Sequence, residues 1–193
     1  ETVYEKLGVY IQLLINGGFF MWDKNRIVSN VAPVVIDGHV NYNILNETNA
    51  WIFGWKYRKN DIELRLLQGI PFNQLSSKFD YALGLVRPLI VNNKPIKLKP
   101  GPGVTHLKCS RTSIAWSDPH KLYILIVRDP DGEMASIKKW KNKEYQVGGW
   151  DLLQLQRFWM GKGIKNALIL DGGDSTQLVY RGRNGVTSIT SAR

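Results

Sequence analysis

Cysteine, histidine clusters and long apolar runs are scarce in this sequence, and each scarcity excludes a class of protein. The single cysteine, Cys109, cannot form an internal disulfide, and no Cys and His residues have zinc-binding spacing, which excludes a disulfide scaffold and a zinc module. No apolar run approaches the ~20 residues of a membrane-spanning helix. Because 44% of the 193 residues are hydrophobic and 22% are charged, collagen, coiled-coil and disordered chains are also excluded.

Acidic residues are also few, at 16 against 26 lysines and arginines, which gives a formal net charge of +10. This excess predicts an anionic partner, although composition does not identify the anion. No Asp or Glu stands between Asp80 and Asp118, and the cations of that stretch are Arg87, Lys94, Lys97, Lys99, Lys108 and Arg111. A second cationic group, Lys138 to Lys143 around Trp140, is typical either of a nucleic-acid contact or of a solvated loop tip.

Short runs of β-branched and aromatic residues, separated by turn residues, predict a chain that is mostly sheet. The predicted strands are 10–15, 34–36, 51–53, 62–67, 82–86, 122–127, 167–170 and 177–180. Asp151 as N-cap and a following apolar stripe predict a helix over 151–160, and a weaker pattern predicts another over 72–79. We therefore expect an α+β fold: one mixed, mostly antiparallel twisted sheet with one or two packed helices, forming a single domain over residues 1–193.

The strongest local signal for a site is the segment Asp171-Gly172-Gly173-Asp174-Ser175-Thr176, which follows a continuous apolar run predicted to be a strand buried on both faces. The two glycines let the backbone turn sharply, their N–H groups can point at an anion, and the two hydroxyls add donors. The alternative is a tight turn in which the two carboxylates only cap backbone N–H groups. Spacing alone leaves both interpretations open.

Two further segments have the same character. Asn16-Gly17-Gly18 also follows an apolar run, and the amide of Asn16 suits sugar hydroxyls, phosphate oxygens or the orientation of a carboxylate. Arg111 precedes a strand-like run in the acid-free stretch, and a guanidinium binds phosphate or carboxylate with two parallel hydrogen bonds. His106, which can titrate near neutral pH, lies five residues before Arg111. The alternatives are a turn for the glycines, a surface ion pair for Arg111 and a structural or surface role for His106.

These three segments, in this order, resemble the phosphodiester glycosidase family, which is named for N-acetylglucosamine-1-phosphodiester α-N-acetylglucosaminidase. That family shows Asn-Gly-Gly-(Tyr/Phe)-Phe, then Arg-Thr-Ala-Ile-Gly, then a helix, then Leu-Asp-Gly-Gly-Gly-Ser-(Ser/Thr). The corresponding segments here are residues 16–20, 111–115, 151–160 and 170–176, and the resemblance spans about residues 11–182. Two positions depart from the pattern: Asp174 stands where a third glycine is common, and Ile169 where asparagine is common.

The resemblance implies a hydrolase that cleaves the C1–O bond of a sugar-1-phosphodiester and releases a free sugar and a phosphomonoester. It implies Asp171, Arg111 and Asn16 as catalytic residues. It also implies a set of substrate-binding residues: Gly17, Gly18, His106, Thr112, Gly172, Gly173, Asp174, Ser175 and Thr176. The implied partner is an anionic sugar phosphate or a phosphodiester-linked glycan, no cofactor is implied, and an exported or extracellular location is favoured.

Two other functions compete with this expectation. Asp171 and Asp174 offer oxygen ligands for Mg²⁺ or Ca²⁺, which would suit a metal-assisted phosphodiesterase that cleaves on the phosphorus side. The +10 charge, the seven tryptophans and the 138–143 cluster would suit a non-catalytic module that binds anionic glycans or nucleic acid. For sugar stacking the tryptophan candidates are Trp22, Trp51, Trp55 and Trp116, although aromatics at strand spacing are more often core residues.

Overall fold

The fold was analysed from a computed structural model of the protein. The residues it describes are 13–17, 20–23, 26–30, 33–41, 50–59, 61–84, 86–98, 108–118, 121–128, 148–182 and 185–190. The strands, in chain order, are β1 (Leu13–Ile15), β2 (Phe20–Asp23), β3 (Arg26–Asn30), β4 (Val34–Ile36), β5 (His39–Asn41), β6 (Trp51–Arg58), β7 (Asp61–Gln68), β8 (Tyr81–Leu83), β9 (Arg87–Val91), β10 (Lys94–Pro95), β11 (Arg111–Trp116), β12 (Leu122–Val127), β13 (Asn166–Ile169), β14 (Gln177–Gly182) and β15 (Gly185–Thr190). The helices are α1 (Leu75–Lys78) and α2 (Leu152–Gly161), with short 3-10 turns at Phe72–Gln74 and Gly173–Ser175.

Two five-stranded sheets form most of the described structure. Sheet I has the order β5-β4-β8-β6-β7, and sheet II has the order β10-β9-β13-β11-β12. Smaller groups are β1-β14-β15 and the hairpin β2-β3. The chain is therefore richer in strand than a balanced α+β fold, and the prediction of one sheet is wrong because so many strands split into packed layers.

Every pairing between the described strands is antiparallel. The prediction that the sheet contains parallel as well as antiparallel pairs is therefore also wrong. The reason lies in the position of β11. Both β12 and β13 pair antiparallel with β11, from opposite sides. The connection through α2 therefore leaves β12 and β13 pointing the same way, but β11 separates them and no parallel pair forms.

Strand β13 is buried on both faces, as its continuous apolar sequence predicts. Ala167 and Ile169 belong to the core cluster that α2 covers, together with residues of the helix such as Leu155. Leu168 and Leu170 belong to the cluster between the two sheets, which also contains Phe53 from sheet I. Burying each of these large apolar side chains contributes about 1.5–3 kcal/mol, which fixes the position of the segment that follows.

Helix α2 begins where the sequence predicts. The side chain of Asp151 accepts a hydrogen bond from the Gln154 N–H at 2.7 Å, and the Gln154 side chain accepts one from the Asp151 N–H at 3.0 Å, which completes a capping box. The helix ends after Gly161, and Gly163 adopts a left-handed φ of 67° just beyond it. The weaker predicted helix over 72–79 is also present, as the 3-10 turn followed by α1. No helix among the described residues is long and apolar enough to cross a membrane.

Candidate functional site

The segment after β13 lies between the end of β1 and the beginning of β11. The N–H of Leu170 donates to the Thr112 carbonyl at 3.0 Å, and the N–H of Asp171 donates to the Gly17 carbonyl at 3.2 Å. Two residues later, the N–H of Gly173 donates to the Ser110 carbonyl at 2.9 Å. These bonds bring together the three segments that the sequence analysis selected.

Asn16 joins these segments through its side chain. Its Oδ1 accepts hydrogen bonds from Thr112 Oγ1 at 2.5 Å and from the Gln177 N–H at 3.1 Å. Its Nδ2 donates to the carbonyl oxygen of Asp171 at 2.7 Å. The Asn16 amide thus connects β11, the Asp171 turn and the beginning of β14. Its oxygen already accepts two hydrogen bonds.

Asp171 is half-buried, and its Oδ1 accepts a hydrogen bond from the N–H of the next residue, Gly172, at 2.9 Å. Its main chain is held at both ends, at the N–H by Gly17 and at the carbonyl by Asn16. The carboxylate is therefore partly exposed on a backbone that cannot easily shift. This combination suits a group that acts on a ligand.

Gly172 and Gly173 serve different purposes. A Cβ at Gly172 would lie 2.9 Å from the Ser110 carbonyl oxygen and 3.7 Å from Cδ of Arg111, so this position has no room for a side chain. At Gly173 there is space, but φ is +61°, a conformation that side chains other than glycine rarely adopt. The pair therefore lets the turn lie directly against the first residues of β11.

Arg111 is 3% exposed, and its Nε donates to the Trp150 carbonyl at 3.1 Å. Trp150 also forms a backbone bridge with Cys109 and immediately precedes the capping residue of α2. Burying a guanidinium costs free energy unless polar partners surround it. The aliphatic part of Arg111 lies against Gly172, where its Cδ would be 3.7 Å from an added Cβ, and its Nε is held by the Trp150 carbonyl.

The hydroxyls of the turn differ in exposure. Ser175 is half-buried, whereas Thr176 and Thr112 are fully buried. Among the described residues, Thr176 Oγ1 is a buried side-chain oxygen that has no hydrogen-bond partner. The backbone of Asp174 lies in the 3-10 turn from Gly173 to Ser175.

A family comparison agrees with this arrangement. The phosphodiester glycosidase model matches residues 10–192. The chain belongs to the phosphodiester glycosidase family. The match includes all three motifs that meet around Asp171, and it confirms the family to which the sequence analysis assigned the chain.

Two solved structures share the fold of this phosphodiester glycosidase chain. One is the zebrafish N-acetylglucosamine-1-phosphodiester alpha-N-acetylglucosaminidase catalytic domain auto-inhibited by its pro-peptide, with a TM-score of 0.60, 18% identity, and coverage of 93% of this chain and 56% of that chain. The other is a hypothetical protein from Synechocystis, with a TM-score of 0.53, 13% identity, and coverage of 94% and 49%. This chain thus spans about half the length of the structures it matches. No curated protein matches its sequence.

Some predicted residues of this family member lie outside the described part of the chain. They are Gly18, His106 and the side chain of Asp174. Within the described part, no group of three or more His, Cys, Asp and Glu side chains is arranged to hold a metal ion. Because the Asp174 side chain is outside that part, the predicted Asp171–Asp174 metal pair stays a prediction.

Three contributors to the site were not predicted from the sequence: Ser110, Trp150 and Gln177. Each acts through its main chain. The Ser110 carbonyl accepts from the Gly173 N–H, the Trp150 carbonyl accepts from Arg111, and the Gln177 N–H donates to Asn16. Backbone groups are present at every residue, so no side-chain pattern identifies them. For Trp150 alone a signal exists, since it directly precedes the predicted N-cap Asp151.

Proposed function

We propose that this chain is a hydrolase that cleaves the C1–O bond of a sugar-1-phosphodiester and releases the free sugar and a phosphomonoester. The observation that carries the proposal is the meeting of three motifs at one turn, where the main chain of half-buried Asp171 is held by Asn16 and Gly17 and the turn lies against the first residues of β11, which include buried Arg111. Family membership supports hydrolysis of a phosphodiester glycoside in general. We further propose that residues 1–193 act as one unit, with an anionic sugar phosphate or phosphodiester-linked glycan as substrate.

The chemistry of the leaving group explains why one carboxylate beside a cation would be sufficient. An ordinary glycosidase protonates a poor alkoxide leaving group and therefore uses two carboxylic groups. A phosphomonoester leaves with its charge spread over acidic oxygens, so stabilisation by fixed cations and N–H donors contributes more than a strong acid. Arg111 suits the phosphate, while Asp171 suits the sugar carbon, as nucleophile, general base or stabiliser of positive charge at C1. The N–H groups of Gly172 and Gly173, which the sequence analysis assigned to an anion, instead donate to Asp171 and to the Ser110 carbonyl.

The hydrogen bonds of Asn16 change its proposed role. The sequence analysis placed Asn16 among catalytic residues, but its Oδ1 already accepts from Thr112 and Gln177, and its Nδ2 donates to the main chain of Asp171. We therefore assign Asn16 as a positioning residue that acts through Asp171. Thr112 supports the same arrangement, because its hydroxyl donates to Asn16 Oδ1.

The variant Asp171→Asn tests the proposal, because it keeps the shape of the side chain and removes its charge. On N-acetylglucosamine-α-1-phospho-methyl ester we expect turnover to fall by about 10²–10⁴-fold, the range for loss of a catalytic proton-transfer or charge-stabilising group. Asp61→Asn, at the exposed first position of β7, is the matched control and should keep full turnover. Equal turnover by Asp171→Asn and the wild type would refute the proposal.

A second pair of variants tests whether turnover needs the cation of Arg111 in particular, or only positive charge on the protein in general. Arg111→Met should raise KM and lower kcat, whereas Arg157→Met, at an exposed position of α2, should change neither. Addition of EDTA decides between this reaction and the metal-assisted alternative. Turnover that EDTA abolishes would assign the activity to a metal phosphodiesterase instead.

A further inference from the structure

The face of sheet I that packs on sheet II extends beyond the core. Phe53 and Leu83 form a cross-strand pair on this face and lie in the cluster between the sheets. The next cross-strand pair on this face is Trp55 and Tyr81. Tyr57 follows Trp55 on the same face of β6, and it is 54% exposed. The apolar surface therefore continues from the core into solvent as a row of aromatic side chains.

Trp55, Tyr57 and Tyr81 form what we call the aromatic corner. The rings of Trp55 and Tyr81 are stacked, with centroids 5.2 Å apart and planes 18° apart. The ring of Tyr57 stands nearly perpendicular to that of Tyr81, at 88° and 6.1 Å. Ile62, opposite Tyr57 on β7, is 42% exposed and extends the same surface. The rings thus offer two nearly perpendicular apolar planes at the surface.

The carboxylates of Asp37 and Asp80 accept hydrogen bonds from residues of the aromatic corner. The hydroxyl of Tyr81 donates to the Asp37 carboxylate, and this hydrogen bond raises the pKa of Tyr81 to about 12. The carboxylate of Asp80 accepts from the Tyr57 N–H at 2.7 Å and from Lys56 Nζ at 3.0 Å. The Tyr57 N–H chiefly, together with Lys56, lowers the pKa of Asp80. Both carboxylates therefore act as fixed hydrogen-bond acceptors beside the rings.

The corner is also connected to the candidate site. A Cβ at Gly17 would lie 3.9 Å from Leu83 Cδ1, and the Gly17 carbonyl accepts from the N–H of Asp171. Tyr81 is two residues from Leu83 on the same face of β8, which is about 7 Å along a strand. Leu83 thus lies between the Gly17 backbone, which Asp171 contacts, and the aromatic corner.

We infer that the aromatic corner is a subsite for a neutral glycan segment of the substrate, which stacks on Tyr57 and Trp55 and donates hydroxyl hydrogen bonds to Asp37 and Asp80. A pyranose ring has an apolar C–H face that suits an aromatic plane and hydroxyls at its edge that suit carboxylates. The inference rests on the proposed function, since it assigns the corner to the sugars beyond the bond that is cleaved.

Local charge favours a glycan over a nucleic acid at this place. Aromatic rings also stack on bases, but a phosphodiester backbone carries negative charge and offers no donor to a carboxylate. The acceptors beside the rings are the carboxylates of Asp37 and Asp80, and Lys56 Nζ donates to Asp80.

The test is calorimetric titration of the full chain with three neutral trisaccharides: maltotriose, cellotriose and triacetylchitotriose. None contains a phosphodiester, so binding is measured independently of turnover, and failure of the proposed reaction would not affect the result. We expect at least one trisaccharide to bind, Tyr57→Ala to weaken that binding roughly tenfold, and Tyr57→Phe to bind as the wild type does. Tyr57 is exposed and its N–H bond to Asp80 is unaffected by the substitution, so the variant should fold.

Tyr123→Ala is the matched control, because Tyr123 is a partly exposed tyrosine on sheet II. It should bind the trisaccharide with unchanged affinity. The inference is overturned if none of the three trisaccharides binds, or if Tyr57→Ala binds as well as the wild type. It is also overturned if an oligothymidylate, rather than a trisaccharide, binds to the wild type and loses affinity in Tyr57→Ala.

Discussion

Asp171 is positioned mainly by contacts of its own main chain. Its N–H donates to Gly17, its carbonyl accepts from Asn16, and its carboxylate accepts from the N–H of Gly172. Main-chain contacts of this kind leave one carboxylate edge available while they fix its direction, which is what preorganised catalysis requires. Gly172, the next residue, lies against the first residues of β11. A substitution at Gly172 therefore tests whether this close approach of the turn to β11 is needed.

Gly172→Ala should reduce both turnover and stability. The added Cβ would meet the Ser110 carbonyl oxygen at 2.9 Å, and because this is a backbone atom the turn itself must move. We expect turnover at least about tenfold lower and a free energy of unfolding lower by about 1–3 kcal/mol. Steady-state kinetics and urea unfolding measure the two effects.

Gly161→Ala is the control for that substitution, because a Cβ there has no heavy atom within 4 Å. It should leave turnover unchanged and stability unchanged or slightly higher. If Gly172→Ala matches the wild type in both measurements, the close approach of the turn to β11 is not required.

Among single residues, those with unusual side chains were predictable and those that act through the main chain were not. The sequence analysis selected Asp171, Arg111 and Asn16 because a carboxylate, a guanidinium and an amide are informative by type, and the structure brings their segments together. The contacts that hold them come from the carbonyls of Ser110 and Trp150, which have no sequence signature. The role of Asn16 changed because its partners are distant in sequence.

Helix α2 connects local sequence to the candidate site. Its capping residue, Asp151, directly follows Trp150, whose carbonyl accepts from Arg111. Asp151→Ala removes one acceptor from the capping box and should lower the free energy of unfolding by about 1 kcal/mol. Asp151→Asn should restore most of that stability, because asparagine also caps helices well.

The same substitution should affect turnover if the helix start positions Arg111. We expect Asp151→Ala to raise KM for the phosphodiester more than it lowers kcat, since Arg111 is assigned to the phosphate. Thermal unfolding and kinetics, measured on the same preparations, distinguish this effect from partial unfolding. An unchanged KM in a destabilised Asp151→Ala variant would show that the cap acts on stability alone.

About half of the strands were predicted from local patterns, but β2, β3, β5, β9, β10 and β15 were not, and neither were the neighbours of any strand. A capping residue with a 3.6-residue apolar period identified α2, and a continuous apolar run identified β13, because both signals are local. Sheet order depends on contacts between distant segments, such as β13 with β9 and β11. The expectation of one mixed sheet failed for this reason, since strand patterns specify faces and not neighbours.

At the scale of the whole molecule, ion pairs of carboxylates such as Glu63 and Asp80 on sheet I make stability depend on pH. Hydrogen bonds from Arg65 and then Arg58 to Glu63 lower the pKa of its carboxyl from 4.5 to about 2. A carboxyl whose pKa is lower in the folded than in the unfolded chain stabilises the fold above the unfolded value, and the stabilisation is lost as pH falls through the folded value. Glu63 therefore contributes to stability above pH 4.5 and ceases to do so near pH 2.

Glu63→Gln should flatten the dependence of stability on pH in this acid range. The unfolding free energy of the variant should fall less steeply than that of the wild type between pH 4.5 and about 2. The difference at neutral pH should be small, because the Glu63 side chain is 44% exposed and water screens its ion pairs. Urea unfolding at a series of pH values measures both; identical slopes would show that the ion pairs do not form in solution.

The measurement that tests the central claim most directly follows the oxygen atom of water into the products. N-acetylglucosamine-α-1-phospho-methyl ester is hydrolysed in water enriched in oxygen-18, and the label is located by mass spectrometry. Cleavage of the C1–O bond at the Asp171 site predicts label in the sugar and none in the methyl phosphate. Label in the phosphate product would show cleavage on the phosphorus side and contradict the proposed reaction.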